Sequence, residues 1–164
     1  MSNFYFLALS LPEHTLENPM PLDRDTLDQL LKDNLSYGDY ALVQKIFSGT
    51  VLEGNRGFLA QLKQFEKDFL TQTVLFRARR LGKKAPFEST MAPCQTLNDL
   101  LEKYDSTPLL LHQKLIEYRL EALQKEFNPF SLDALLHQVW RLLELDKWAR
   151  LNREKGLLEL RRSA

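Results

Sequence analysis

The sequence has 164 residues, one cysteine, and 22 basic against 22 acidic side chains, which give a formal net charge of zero. One cysteine excludes a disulfide within the chain, and a neutral total counts against a protein that binds nucleic acid over its whole surface. The 35 leucines, beside only four Val and two Ile, favour helices over a large sheet, because β-branched residues are stiff in helices and enriched in strands.

The first third of the chain predicts two short helices after one segment of open assignment. Phe4–Leu11 is either a buried strand or the first turns of a core helix, since it is too short and too aromatic for its period to decide. A proline-rich loop follows. Asp25 then predicts a capped helix to about Leu35. Ser36, with an acidic residue three positions later, predicts a second capped helix to about Phe47.

The middle of the chain predicts one long helix over Arg56–Leu81, with Asn55 as its N-cap and Gly82 as its C-terminal stop. An apolar stripe at helical spacing supports it, formed by Phe58, Leu62, Phe65 and Phe69. Positive charges crowd its end, at Arg77, Arg79, Arg80, Lys83 and Lys84. Three interpretations of these charges stay open: a solvated helix end stabilised by the helix dipole, a docking patch for an acidic protein surface, or phosphate contacts with nucleic acid or anionic lipid.

The second half predicts three further helices, over Thr96–Tyr104, about Thr107–Phe127 and about Ser131–Lys155. The second of these has proline at its first helical position, which is a strong start signal. Gly156 is expected to interrupt the third, leaving 157–164 as a basic tail that could be flexible. Together the elements predict an all-α fold, an irregular helical bundle of about six helices in a single domain over 1–164.

Trp140 and Trp148 lie eight residues apart on the last predicted helix and therefore near the same face. Both are consistent with core packing. Trp and Arg also dominate interface hot spots, so a partner-binding edge is the second interpretation. The candidate partner-binding residues are thus Arg77, Arg79, Arg80, Lys83, Lys84, Trp140 and Trp148.

No recognisable catalytic, cofactor or metal site is present in the sequence. Neither a Walker loop nor a dinucleotide fingerprint occurs. Asp133 and His137 share a helix face, but three histidines without a second such pair do not predict a metal centre, and a solvated or hydrogen-bonded His137 is favoured. Cys94 lies in no known nucleophile signature and is predicted to be a structural or neutral thiol. We therefore predict that the protein is not an enzyme.

The sequence offers no segment that approaches the roughly 20 apolar residues of a membrane span. Phe4–Leu11 also lacks the basic region and the cleavage site of a signal peptide. We expect a cytoplasmic protein that is at most peripheral to a membrane, through a complex.

Two stretches near the start resemble a bacterial protein family. Residues 4–12, FYFLALSLP, are similar to the "YYYLxxSLP"-like opening of its members, and residues 35–42, LSYGDYAL, are similar to their "LSxxDxxLL" stretch. The genes of that family lie within V-type (A/V-type) ATPase operons of chlamydiae and Bacteroidetes. The resemblance, which covers about the first 80 residues, invites comparison with the socket protein of the central stalk, an all-helical protein that joins the rotor shaft to the membrane ring. It implies a non-catalytic stalk component or assembly factor that binds stalk or membrane-ring subunits.

Overall fold

A computed structural model describes residues 4–17, 22–49, 57–85, 94–123 and 127–162 of the chain, with side chains described as far as residue 151. Over these ranges the fold is all-α, as predicted, with seven helices and no strand. The helices are α1 (Phe4–Ser10), α2 (Arg24–Asn34), α3 (Tyr37–Ser48), α4 (Gly57–Arg80), α5 (Gln95–Lys103), α6 (Pro108–Ala122) and α7 (Leu132–Arg162). The helix beyond the six predicted is α1, which settles the open assignment of the first segment.

The chain divides into two compact units, and the division falls within the first turn of α4. Unit 1 holds α1, α2, α3, the start of α4 and α7. Unit 2 holds the rest of α4 with α5 and α6. That 1–164 folds as a single domain stays a prediction.

Helix α7 is the central helix of unit 1, where it packs against α1 and α3. Its apolar side chains recur on most sides of the helix and are buried, which is the pattern of a core helix rather than of a surface helix. The buried apolar residues of α7 are Leu135, Leu136, Val139, Trp140, Leu142, Leu143, Leu145, Trp148 and Ala149.

A buried carboxylate joins the start of α2 to α7. Asp146 is fully buried and accepts hydrogen bonds from the Leu22 amide at 2.9 Å and from Arg24 Nε at 2.9 Å. Arg150 Nε donates to the same carboxylate at 2.9 Å, and Arg150 Nη2 donates to the Leu22 carbonyl at 3.1 Å. Burial by itself would raise the pKa of Asp146, but these hydrogen bonds and the two guanidinium charges outweigh it and lower that pKa.

The caps of α2 and α3 test two sequence predictions. Asp25 as the cap of α2 is wrong: Asp23 is the N-cap, and its carboxylate accepts from the Thr26 amide at 3.2 Å. The Asp146 contacts fix Leu22 and Arg24 in place, and this tether explains why the helix begins two residues early. Ser36 caps α3 as predicted, since its Oγ accepts from an amide of the first turn, at 3.2 Å.

The start of α4 is held by a side chain of α7. Gly57 has φ +59°, and the next amide, that of Phe58, donates to Asp133 Oδ1 at 2.8 Å. A Cβ on Gly57 would collide with the Asp133 carboxylate. The predicted cap, Asn55, lies outside the described residues.

The end of α4 confirms Gly82 as its stop. Gly82 has φ +61° and donates to the Arg79 carbonyl at 3.1 Å, and Lys83 donates to the Ala78 carbonyl at 2.9 Å. These two bonds are those of a Schellman motif, which needs a residue in the left-handed region and so favours glycine.

In unit 2 the apolar cluster of Phe76, Leu97 and Leu101 joins α4 to α5. Around it pack the partly buried Phe69, Cys94, Leu111, Leu115 and Tyr118. Arg119 of α6 pairs bidentately with Glu66 of α4 and lies over the rings of Phe65 and Phe69. These contacts attach α5 and α6 to the side of α4.

The later helix boundaries follow the predictions with three differences. Helix α5 begins one residue early, at Gln95, and α6 ends at Ala122 rather than near Phe127. Ser131 caps α7 as predicted, accepting from the Ala134 amide at 3.2 Å. The predicted interruption at Gly156 is wrong, because α7 continues to Arg162. Glycine costs a helix interior only about 1 kcal/mol, which neighbouring good helix formers outweigh.

Candidate partner-contact surfaces

The charged end of α4 forms the first candidate surface, which we call the basic helix end. Its five cations, Arg77, Arg79, Arg80, Lys83 and Lys84, are all exposed. A helix of 24 residues is about 36 Å long, and its C-terminal dipole favours positive charge there. The turn at Gly82 adds the two lysines directly after the last helical turn, so both segments contribute to one charged end.

Two of these cations have partners on α5 or just after it. Arg80 Nη1 lies 2.5 Å from Asp105 Oδ1, with both side chains about half exposed. Arg79 makes two long bonds of 3.4 Å, from Nη2 to Asn98 Oδ1 and from Nε to the Leu75 carbonyl. Bonds of that length are weak. Most of the donor capacity of Arg79 therefore remains for another acceptor.

The other three cations have no ion pair within the described ranges: Arg77, Lys83 and Lys84. Each is an exposed charge at one end of one helix. Their fields add at short range, within the Debye length of about 8 Å at physiological salt. The basic helix end thus presents an excess of positive charge to solvent.

Beside these charges lies a pocket of about 470 Å³, lined by Phe76, Arg79, Arg80 and Glu102. Phe76 is 8% exposed and belongs to the core cluster of unit 2. The pocket thus combines an apolar ring, two guanidinium groups and one carboxylate. Sequence reasoning found the two arginines as a charge cluster but missed Glu102, which lies on another helix.

The two tryptophans are core residues of unit 1. Trp140 is 4% and Trp148 5% exposed, which agrees with the first interpretation of the pair. The partner-binding interpretation has no exposed ring to depend on. Their spacing on α7 could not distinguish the two, because α7 is apolar on most sides and the spacing indicates only a shared face.

The second candidate surface is an apolar groove of unit 1 between α1 and the start of α7, about 570 Å³ in volume. Tyr5 and Leu9 line it from α1, and Phe127 and His137 line it from the other side. The expectation that Phe4–Leu11 is buried holds for only part of the segment. Leu7 is 8% exposed and Leu9 64% exposed, because they point to different sides of a helix.

Asp133 and His137 have structural roles in unit 1. Asp133 accepts a hydrogen bond from the Phe58 amide at the start of α4. The His137 ring packs against Phe58 and Phe127 at 5.4 Å and against Trp140 at 6.0 Å. Burial among these rings lowers the pKa of His137. No group of three metal-ligating side chains occurs in the part of the chain that the structure describes.

Cys94 is partly buried at the N-cap of α5. Its amide donates to Gln72 Oε1 at 3.1 Å, and its Sγ lies 3.4 Å from Tyr118 Oη. Burial and the contact with Cys94 raise the pKa of Tyr118 to about 12. These contacts fit a structural role for the thiol, which links α5 to its neighbours α4 and α6.

Among the described helices, none has the length and apolar character that crossing a bilayer requires. Comparison with protein-family models, with curated proteins and with solved structures found no match to this chain. The geometry of the two surfaces is therefore the main guide to function.

Proposed function

We propose that the protein is a non-catalytic docking protein whose basic helix end binds an acidic surface of a protein partner. The observation that carries the proposal is the exposed excess charge of that end. Arg77, Lys83 and Lys84 form no ion pair with any described residue. Exposed charge of one sign steers a partner of the opposite sign and raises its association rate.

A partner of protein rather than nucleic acid fits the surroundings of these charges better. Single-stranded nucleic acid is held by cations together with exposed aromatic faces on which bases stack. The ring beside the two arginines is that of Phe76, which is only 8% exposed. Arginines without a stacking platform suit carboxylates, which they bind bidentately.

For the identity of the partner we propose a V-type ATPase, in which the chain is a stalk component comparable to the socket protein of the central stalk, or an assembly factor. This part rests on the resemblance of residues 4–12 and 35–42. The first of these stretches forms α1, which exposes Phe6 and Leu9 beside the apolar groove. That exposure supports a contact role for the segment, since a helix with a purely structural role would bury more of its apolar surface.

The test is co-expression of the chain with the stalk and membrane-ring subunits of the ATPase, followed by affinity purification. We expect those subunits to co-purify with the wild type. The triple variant Arg77→Glu, Lys83→Glu, Lys84→Glu should lose them, because it reverses the three charges without an ion pair. Lys67→Glu, at an exposed site of α4 about 15 Å before Arg77, is the matched control.

Two results would contradict the proposal. If no ATPase protein binds the wild type, the ATPase assignment fails. If the ATPase subunits bind the triple variant as well as the wild type, the basic helix end is not the docking surface. A gel shift with nucleic acid at low salt that disappears in the triple variant would replace the protein partner with nucleic acid.

A further inference from the structure

The pocket at the basic helix end indicates what kind of acidic partner fits. We infer that the basic helix end binds an acidic peptide segment that inserts one large apolar side chain against Phe76 while its carboxylates pair with Arg79 and the surrounding cations. The inference rests on the docking part of the proposed function and names the chemistry of the partner.

The apolar half of the inference depends on Phe76 and Leu81. Phe76 forms the apolar part of a pocket of about 470 Å³, a volume that holds a leucine or phenylalanine side chain with room to spare. Leu81 is 67% exposed and lies within the run of cations. A purely ionic surface has no use for either feature, whereas an anchor residue in a pocket with a charged rim is the usual anatomy of a hot spot.

The charged half depends on Arg79. Its guanidinium has five donors, and the two bonds it makes are both 3.4 Å long. A carboxylate at the pocket mouth would accept two short bonds in their place, and charge-assisted bidentate bonds are about twice as strong as neutral ones. Arg80 differs, because Asp105 already occupies it at 2.5 Å. Arg79 is therefore the residue on which recognition depends most.

Glu102 makes the pocket selective. It is exposed and lies in the lining with the two arginines, so it repels carboxylates that approach its side. An acidic segment must place its charges toward Arg79 and the lysines, away from Glu102. Removal of this charge should strengthen binding, and a gain of affinity cannot come from misfolding.

The experiment selects peptides from a random displayed library on the full chain, with counter-selection on Arg79→Glu. We expect the enriched peptides to carry several Asp or Glu residues around one Leu, Ile or Phe. Enriched peptides without acidic residues, or peptides that bind Arg79→Glu as well as the wild type, would overturn the inference.

A labelled copy of an enriched peptide then gives the affinities by fluorescence anisotropy. Arg79→Glu should weaken binding by about tenfold, and so should alanine in place of the peptide's apolar residue. Glu102→Gln should strengthen binding by about two- to fivefold, the range that single exposed charges produce. Lys67→Glu should leave it within about twofold. An unchanged affinity in Glu102→Gln, or equal binding of the alanine peptide, contradicts the pocket as the anchor site.

The outcomes separate this inference from the proposed function. ATPase subunits that co-purify through the basic helix end, together with a peptide selection that shows no acidic or apolar preference, would remove the inference and keep the docking function. A labelled single-stranded DNA that binds more tightly than the peptides, and loses binding in Arg79→Glu, would overturn the inference in favour of nucleic acid.

Discussion

Gly57 shows how much a single backbone position contributes to unit 1. Its φ of +59° places the chain so that the next amide reaches Asp133. Side chains with a Cβ adopt this region at a cost, and here the Cβ would also meet the carboxylate. The start of α4 and the first turn of α7 therefore depend on the smallest residue.

We predict that Gly57→Ala lowers the free energy of unfolding by about 1–3 kcal/mol, the cost of a strained backbone position. Gly38→Ala is the matched control, because Gly38 lies within α3 with nothing within 4 Å of its Cβ position. Alanine there should be neutral or stabilise by up to about 1 kcal/mol. Urea unfolding of the two variants measures both values, and equal effects would contradict the strain at Gly57.

Asp146 gives a prediction about pH. The hydrogen bonds from Leu22, Arg150 and Arg24 keep the pKa of its carboxyl below the ordinary value despite burial. A carboxyl with a lowered pKa in the folded state contributes stability that is present above its unfolded pKa, about 3.9. That contribution is lost as the pH falls through the folded value.

Asp146→Asn should therefore cost about 1.5–3 kcal/mol near neutral pH, the range for hydrogen bonds to a charged group. The difference between wild type and variant should shrink as the pH falls below about 4. Thermal unfolding across pH values from about 7 down to about 3 measures it. A difference that stays constant over this range would show that the ionised carboxylate is not what stabilises α2 against α7.

At the scale of the element, α1 is decided by its phase. Residues two apart share a face in a strand and lie on different sides of a helix. Leu7 is buried and Leu9 exposed, whereas Leu7 and Leu11, four apart, are both buried. This phase turns Phe6 and Leu9 toward solvent and creates the edge of the apolar groove.

We predict that Leu7→Ala costs about 2–4 kcal/mol of unfolding free energy, as for buried leucines. Leu9→Ala, the same substitution on the exposed side, should stay within about 0.5 kcal/mol. Denaturant unfolding of both variants tests the phase. Similar losses in the two variants would be the result expected of a strand with one buried face.

At the scale of the whole chain, the charges are segregated although they sum to zero. Residues 56–84 carry eight basic and two acidic side chains, and residues 1–55 carry three basic and eight acidic. Segregation of this kind produces local potentials that a net charge does not reveal. An acidic partner should therefore be attracted to the basic helix end in spite of the neutral total.

We predict that the association rate of an acidic partner falls by about tenfold or more when salt is raised from low to physiological concentration, while the dissociation rate changes less. Surface plasmon resonance across a salt series measures both rates. The triple variant at Arg77, Lys83 and Lys84 should have a slow association rate that salt barely alters. A dissociation rate that carries most of the salt dependence would contradict steering by these charges.

The sequence by itself determined the fold class and most helix boundaries of this protein. Leucine bias, apolar spacing and caps such as Ser36 and Gly82 act over a few residues, so they can be read without knowledge of the fold. The cluster of cations at the end of α4 was visible for the same reason. So was the set of residues on α7 from which its buried face is drawn.

Only the tertiary structure decided which of those features face solvent and what surrounds them. The cap of α2 moved to Asp23 because the chain is tethered at Asp146, which lies more than 100 positions away in the sequence. Trp148 is buried, and Glu102 joins Arg79 in one pocket. These facts depend on contacts between helices distant in sequence, and local patterns carry no information about which helix packs where.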